Sequence, residues 1–182
     1  TLSRFGLEVL GGASGFTPNE PCTGLVLCFN GSFMLIDSMP FLDQHLYARG
    51  ISKNQISACF LTHVHDDHCS LFPLMLAPNP IKIITSKEIF NMAMEKLACG
   101  LGWDEAVIRE HFRFMEVTPG HQLNYYGLLI DPHSTVHSIP TLGATFTSRH
   151  RGLERTICII GDNHSQANIV RLSKQGIVSD GT

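Results

Sequence analysis

The chain has 182 residues, of which 43% are apolar, and a formal net charge of −3. This length and composition predict one soluble globular domain over residues 1–182, with a hydrophobic core of its own. They argue against broad binding of long nucleic acid, because Lys and Arg form no cluster. They also argue against a transmembrane helix, because no apolar run is long enough to cross a bilayer.

The six cysteines are scattered along the chain, without a Cys-x-x-Cys pair or a short-spaced disulfide framework. We interpret most of them as small core residues of a protein from a reducing compartment. The N-terminal segment lacks the charged and apolar pattern of a secretion signal. The sequence therefore predicts a cytoplasmic location.

A β-hairpin is predicted near the N-terminus. The apolar segments Thr23–Phe29 and Ser32–Asp37 are joined by Asn30-Gly31, the dipeptide preferred in two-residue hairpin turns because both positions need a positive φ. A strand over Phe5–Leu10 precedes the hairpin. The glycine-rich residues 11–15 that follow this strand lack a phosphate-binding motif, so we interpret them as a plain loop.

Strands and helices are mixed along the rest of the chain, which is typical of a layered α/β fold. The predicted helices are Pro40–Arg49, Cys69–Ala77 with an interruption at Pro73, a helix capped by Ser86, and Trp103–Phe112. The predicted strands are Ile56–Leu61, Ile81–Thr85, Phe114–Val117, Gly127–Ile130, Ser134–Val136 and the apolar run Thr156–Gly161.

Residues 62–68 concentrate groups that bind metal ions. The segment Thr-His-Val-His-Asp-Asp-His directly follows a predicted strand and carries three imidazoles and two carboxylates. His63 and His65 are two positions apart, so an extended backbone projects both side chains to the same side, where they can bind one ion. We expect the chain to enter a helix at Asp67 and His68, which would turn these two side chains toward a second ion.

The pattern His-x-His-x-Asp-His, with Thr62 in front of it, resembles the signature of the metallo-β-lactamase fold superfamily. The resemblance implies an α/β fold, namely an αββα sandwich of the metallo-β-lactamase type. It implies two divalent metal ions, with zinc preferred and manganese or iron as alternatives. It also implies that His63, His65, Asp67 and His68 are metal ligands and that Asp67 is catalytic, because it orients the attacking water.

Asp37 ends one of the hairpin strands. In the superfamily an aspartate in this position supports the metal-bearing loop through hydrogen bonds, and the resemblance assigns that role to Asp37. The alternative is an ordinary aspartate that caps the end of a strand.

The resemblance also requires a third ligand for the first ion from the second half of the chain. We expect it to be His137, at the end of the strand Ser134–Val136. His121 is the alternative, because its Thr-Pro-Gly-His segment is similar to a stretch of the thioesterase and lactamase branches. We interpret His133 and His150 as exposed loop residues.

Asp162 follows an apolar run that we expect to be a buried strand. The resemblance implies that its carboxylate bridges the two ions, and a helix cap is the alternative. The superfamily supplies one more histidine further along, but only His164 follows here, and it is too close to Asp162 to be that residue. We therefore expect either a fold that is incomplete at its C-terminal end or an incomplete second metal site.

The segment from His137 to Gly143 resembles the His-x-x-Pro-x-x-Gly segment of the phosphodiesterase branch, which includes RNase Z and cyclic phosphodiesterases. This implies a hydrolase that uses a metal-activated hydroxide on a phosphodiester. The acidic composition favours a small or cyclic nucleotide over long RNA as the substrate. Alternative functions are a thioesterase or lactamase-type hydrolase of the same fold, or a sensor module that binds metal or ligand without turnover. The sequence leaves a homodimer open.

Overall fold

The computed structural model describes residues 4–178, which form two compact units, residues 4–117 and residues 118–178. We describe each unit by itself, and the single domain over residues 1–182 stays a prediction. None of the helices within residues 4–178 combines the length and hydrophobicity that a membrane span requires.

The first unit contains a six-stranded sheet whose strands follow one another in chain order. The strands are β1 Phe5–Gly11, β2 Gly24–Phe29, β3 Ser32–Ile36, β4 Ile56–Phe60, β5 Ile81–Thr85 and β6 Phe112–Glu116. The first three strands pair in antiparallel fashion, and β3 through β6 pair in parallel. Because β4 lies inside the parallel part, its carboxyl end and that of β3 lie at the same edge of the sheet.

The hairpin between β2 and β3 is confirmed. Its turn residues have φ values of 47° at Asn30 and 81° at Gly31. Both values lie in the left-handed region that the type I′ turn requires. The pairing of Phe29 with Ser32 then places the two strands in register from the first residues beyond the turn.

The hydrophobic core of this unit is centred on β3, β4 and β5. Their apolar side chains are fully or almost fully buried, and they include Met34, Leu35, Ala58, Cys59, Phe60, Ile83 and Ile84. Near-continuous apolar runs of this kind are expected for strands covered on both faces. The metal-binding motif therefore starts at the end of a rigid, buried strand.

Within residues 4–117, a short 3₁₀ helix, Lys53–Gln55, and four α-helices accompany this sheet: α1 Leu42–Tyr47, α2 Phe72–Met75, α3 Lys87–Leu101 and α4 Glu105–Glu110. The Ser86 cap is confirmed, since its hydroxyl accepts a hydrogen bond from the Ile89 amide at 3.2 Å. The prediction of a helix from Cys69 to Ala77 was wrong in its extent. The helix begins only at Phe72, with Pro73 in its first turn, a position that tolerates proline.

The second unit contains a four-stranded antiparallel sheet in the order β10-β9-β8-β7. The strands are β7 Leu123–Tyr125, β8 Leu128–Ser134, β9 Leu142–His150 and β10 Leu153–Ile159, and helix α5 spans Gln166–Lys174.

The predicted positions of three histidines in this unit need correction. The chain leaves β8 at Ser134, so His137 lies in a loop. His133 lies within β8 and is half-buried, and His150 ends β9.

The apolar run before Asp162 was expected to be a buried strand, and this was wrong. Strand β10 is at the edge of its sheet, and most of its residues are exposed. Ile160, which follows it, is 58% exposed. A run of apolar residues predicts a strand, but burial also depends on what covers that strand.

The prediction that most cysteines belong to the core was only partly right. Cys59 and Cys69 are buried, whereas Cys99 and Cys158 are exposed and the other two are half-buried. Burial raises the pKa of the Cys69 thiol to about 12 and that of Cys59 well above its usual value. Both buried thiols are therefore neutral at physiological pH.

Candidate metal centre

The three histidines of the motif lie together after β4. His63 is fully buried and His68 nearly so. The ring centroids of His63 and His65 are 4.8 Å apart, and those of His63 and His68 are 4.3 Å apart. The residues between them form a single turn rather than the expected helix, and in this turn the amides of His68 and Cys69 both donate to the His65 carbonyl.

Asp37 holds this loop with both of its carboxylate oxygens. Its Oδ1 accepts a hydrogen bond from the Thr62 amide at 2.7 Å. Its Oδ2 accepts from the Thr62 hydroxyl at 2.8 Å and lies 2.7 Å from His68 Nδ1. The expected supporting role of Asp37 is confirmed, and the alternative of an ordinary strand-end aspartate is rejected.

The same network sets the protonation pattern of two imidazoles. The Thr62 hydroxyl has one proton, which it donates to Asp37, so it accepts from His63 Nδ1 at 2.8 Å. His68 likewise donates from Nδ1, because the carboxylate of Asp37 can only accept. Both rings therefore carry a proton on Nδ1, and in the neutral imidazole the lone pair is then on Nε2, which is how metal-binding histidines are usually oriented.

This donor set fits a divalent metal ion. His63 and His68 each offer a ligand atom within 4.8 Å of the other and of an Asp37 oxygen, in a buried cluster where both Asp37 oxygens already accept hydrogen bonds. Neutral imidazole nitrogens with carboxylate oxygens are ligands typical of zinc, and they also accept manganese or iron. The structure thus provides a site with the chemistry to bind metal.

Asp67 is held by a residue that the sequence analysis did not single out. The Gly15 amide donates to Asp67 Oδ2 at 2.9 Å, and the same oxygen lies 3.5 Å from His68 Nε2. A Cβ at position 15 would lie 2.8 Å from the carboxyl carbon of Asp67, so only glycine allows this close approach. The glycine-rich loop after β1 was a signal, but nothing in its pattern indicates a partner 52 residues away.

The loop receives two further supports. The Ser38 amide donates to the His68 carbonyl at 2.8 Å, and the Ser70 amide donates to the Ser38 carbonyl at 2.7 Å. From helix α3, the Lys96 ammonium forms an ion pair with Asp66 at 2.6 Å. Its hydrogen bond and its charge hold the pKa of the Asp66 carboxyl below its usual value. The sequence analysis missed both Ser38 and Lys96.

In the second unit, His137 and Asp162 are neighbours. His137 Nε2 lies 3.8 Å from Asp162 Oδ2. The loops that carry them are joined because the Thr135 hydroxyl donates to the Asp162 carbonyl at 3.0 Å and the His164 amide donates to the Val136 carbonyl at 2.7 Å. The side chains of these two expected ligands therefore lie next to each other within this unit.

His121, the alternative ligand, lies in an exposed turn where its amide donates to the Thr118 carbonyl at 3.0 Å. The glycine of the His-x-x-Pro-x-x-Gly segment, Gly143, has a packing role. A Cβ there would meet the His133 ring and would lie 2.6 Å from the Ile159 carbonyl oxygen. Glycine thus allows β8, β9 and β10 to pack closely beside the loop of His137.

Comparisons with known proteins agree with this fold. Residues 5–179 match the family of Anti-Pycsar protein Apyc1. Two relatives come from Dictyostelium discoideum. The cGMP-dependent 3′,5′-cGMP phosphodiesterase A is 27% identical over 96% of this chain and 20% of its own length. The cAMP/cGMP-dependent 3′,5′-cAMP/cGMP phosphodiesterase B is 28% identical over 75% of this chain and 13% of its own length. The chain thus spans a fifth or less of these relatives.

The metallo-β-lactamase fold protein YhfI from Bacillus subtilis is a structural neighbour, with a TM-score of 0.69 and 19% identity over 92% of this chain and 66% of that one. This similarity confirms the predicted α/β metallo-β-lactamase-like fold with two sheets. Since the family match covers nearly every residue, the chain belongs to the family of Anti-Pycsar protein Apyc1.

Proposed function

We propose that this chain is a metal-dependent phosphodiesterase that hydrolyses 3′,5′-cyclic nucleotides. It belongs to the family of Anti-Pycsar protein Apyc1, and the two relatives are named as 3′,5′-cyclic nucleotide phosphodiesterases. The observation that carries the proposal is the hydrogen-bond network of Asp37 and Thr62, which places a proton on Nδ1 of His63 and His68 and so orients both rings as in metal-binding histidines. The net charge of −3 also suits a small substrate better than a long RNA.

We assign six residues as the metal ligands. His63, His65 and His137 would bind the first ion, Asp67 and His68 the second, and Asp162 both. The assignment of the first four rests on their clustering after β4, and that of the last two on their pairing in the second unit. Zinc is the ion that this set of imidazoles and carboxylates favours, followed by manganese or iron.

Hydrolysis joins a water oxygen to phosphorus, breaks one P–O ester bond of the ring and passes a proton to the departing oxygen, which gives a nucleoside monophosphate. The bound ions would acidify the water and stabilise the anionic charge of the pentacoordinate transition state. Asp67 would orient that water. Its Oδ2 accepts a hydrogen bond from the Gly15 amide, so we assign Oδ1 as the atom that accepts a hydrogen bond from the water.

A cytoplasmic location is part of the proposal. All six cysteines, which lie within the described residues, are free thiols, as expected in a reducing compartment. A measurement of its molecular mass in solution tests whether the protein forms a homodimer.

The test combines metal analysis with a substrate panel. Purified protein is assayed for bound transition metals and for turnover of the four common 3′,5′-cyclic mononucleotides, a thioester and a β-lactam. We expect bound zinc, or manganese or iron, and release of nucleoside monophosphate. His63→Ala should abolish turnover, and Asp162→Ala should lose more metal than the control His121→Ala.

Each other outcome has a definite meaning. Preferred turnover of the thioester or lactam would favour the other hydrolase branches. Bound metal without turnover of any ester would favour a sensor module. Protein that binds no transition metal tightly would contradict the proposed function altogether.

A further inference from the structure

Lys96 connects helix α3 to the metal-binding loop. Its Nζ donates a hydrogen bond to the Val64 carbonyl oxygen at 2.6 Å and lies 2.6 Å from Asp66 Oδ1. The Lys96 side chain is 36% exposed, whereas that of Asp66 is 96% exposed. One ammonium therefore contacts the residues on both sides of His65.

The two contacts of Lys96 differ in their importance. The ion pair with Asp66 is open to solvent, and exposed pairs of this kind contribute little to stability. The hydrogen bond to Val64 is partly buried and charge-assisted, which makes it stronger and less sensitive to salt. We therefore expect the carbonyl contact to carry most of the effect of Lys96, with Asp66 holding the ammonium in place.

The Val64 carbonyl belongs to the peptide group that joins Val64 to His65. Its direction fixes the rotation of that peptide plane and hence where the His65 side chain leaves the backbone. On the other side, the His65 carbonyl accepts the amides of His68 at 3.1 Å and Cys69 at 2.8 Å. Both peptide groups that flank His65 are thus held, one of them by Lys96.

We propose that Lys96 is a positioning residue that sets the orientation of His65 for metal binding through the Val64 carbonyl. This inference rests on the proposed function, since it takes His65 as a metal ligand. It assigns to α3 a role at the metal centre that the motif itself does not contain.

The surroundings of Lys96 make it suitable for substitution. A cavity of about 370 Å³ lies beside it, lined by Asp66, Lys96 and apolar residues that include Leu71, Phe72 and Leu97. Lys96 thus lies among apolar residues of this cavity while its ammonium contacts the loop. Lys96→Met can therefore keep the apolar contacts and remove only the donor and the charge.

The experiment compares Lys96→Met, Asp66→Asn and the control Lys87→Met, which removes an exposed lysine at the start of the same helix. Zinc affinity is measured by competition with a chromophoric chelator, the histidine ring signals are followed by NMR, and kcat and KM are determined for a cyclic nucleotide. We expect Lys96→Met to weaken zinc binding by about 10- to 100-fold, as loss of a supporting residue typically does. Asp66→Asn should weaken it by less than about fivefold, in line with an exposed ion pair.

Three further observations separate positioning from a general structural role. The His65 ring signals of the zinc-loaded protein should shift in Lys96→Met more than those of His68, kcat should fall more than KM rises, and the metal-free melting temperature should stay near that of the wild type. If Lys96→Met does not fold, Lys96→Gln, which keeps a donor, is measured instead and should bind zinc several-fold more weakly.

The inference is overturned if the wild-type protein binds zinc and the folded Lys96 variant, Lys96→Met or Lys96→Gln, binds it equally tightly. An equal loss in Lys87→Met would overturn it as well. If the wild type binds manganese or iron instead of zinc, the same variants are compared with that ion, and only a wild type that binds none of the three would contradict the proposed function.

Discussion

At the scale of single residues, the candidate metal centre contains residues that hold the proposed ligands in place as well as the proposed ligands themselves. Asp37 and Thr62 determine which nitrogen of His63 and His68 carries the proton. Gly15 places its amide against Asp67. Each of these contacts can be removed by one small substitution, so their contributions are separable.

Thr62→Val replaces the hydroxyl with a methyl group of similar size. His63 then loses its acceptor and Asp37 loses one donor, so the Nδ1 tautomer of His63 is no longer favoured. We expect zinc affinity, measured by chelator competition, to fall at least about tenfold. The matched control is Thr147→Val, whose hydroxyl contacts only Thr156 among the described hydrogen bonds. Similar zinc affinities in the two variants would contradict the assigned role.

Gly15→Ala places a methyl group 2.8 Å from the carboxyl carbon of Asp67, so the carboxylate must move. A displacement of about 1 Å at a catalytic group can cost up to about 100-fold in rate. We expect kcat/KM for a cyclic nucleotide to fall by at least about tenfold. Gly12→Ala is the control, because a Cβ there meets nothing within 4 Å. The prediction fails if both alanine variants retain full activity.

At the scale of elements, two glycines show how backbone conformation decides the effect of one chemical change. Gly31 has a φ of 81° in the hairpin turn, whereas Gly100 lies within helix α3. A Cβ meets no atom within 4 Å at either position. Packing is therefore not involved, and only the backbone preference differs.

Gly31→Ala should destabilise the protein by about 1 kcal/mol, because an L-residue is strained in the left-handed region. Gly100→Ala should stabilise it by up to about 1 kcal/mol, because alanine is the better helix former. Urea unfolding of both variants at one pH measures the two free energies of unfolding. If both substitutions change the free energy of unfolding in the same direction, either Gly31 is not in a left-handed turn or Gly100 is not in a helix.

At the scale of the whole molecule, each unit joins loops that are distant in sequence through its own hydrogen bonds. In the first unit these bonds surround Asp37, and in the second they connect the loops of His137 and Asp162. The first unit also contains two buried thiols, Cys59 and Cys69, with raised pKa values. They make its stability depend on pH.

The free energy of unfolding should fall as pH rises above about 9. A thiol of the unfolded chain ionises near its usual pKa, while Cys69 keeps its proton up to a pKa of about 12. Its stabilising contribution is therefore complete below pH 9 and is lost between about 9 and 12, at up to about 1.4 kcal/mol per pH unit. Urea unfolding at pH 8, 9 and 10 measures the slope. In Cys69→Ala the slope should be smaller, and an unchanged slope would show that this thiol does not titrate as described.

Patterns confined to a few neighbouring residues were predictable from the sequence. The Asn30-Gly31 turn, the Ser86 cap and the buried strand before His63 follow from local conformational preferences and hydrophobic periodicity. The role of Asp37 was also predictable, because the resemblance to a known superfamily carried it over to this position.

Only the tertiary structure decided which distant residues support the loop of residues 62–68. The contacts of Gly15 with Asp67 and of Lys96 with Val64 join residues 52 and 32 positions apart, and no local pattern encodes such pairings. The two backbone hydrogen bonds of Ser38 engage the His68 carbonyl and the Ser70 amide, which the expected helix after His68 would need, and the helix begins only at Phe72. Likewise, the apolar residues of β10 predicted a buried strand, but none of them is buried in this strand at the edge of its sheet, because burial depends on what covers a strand.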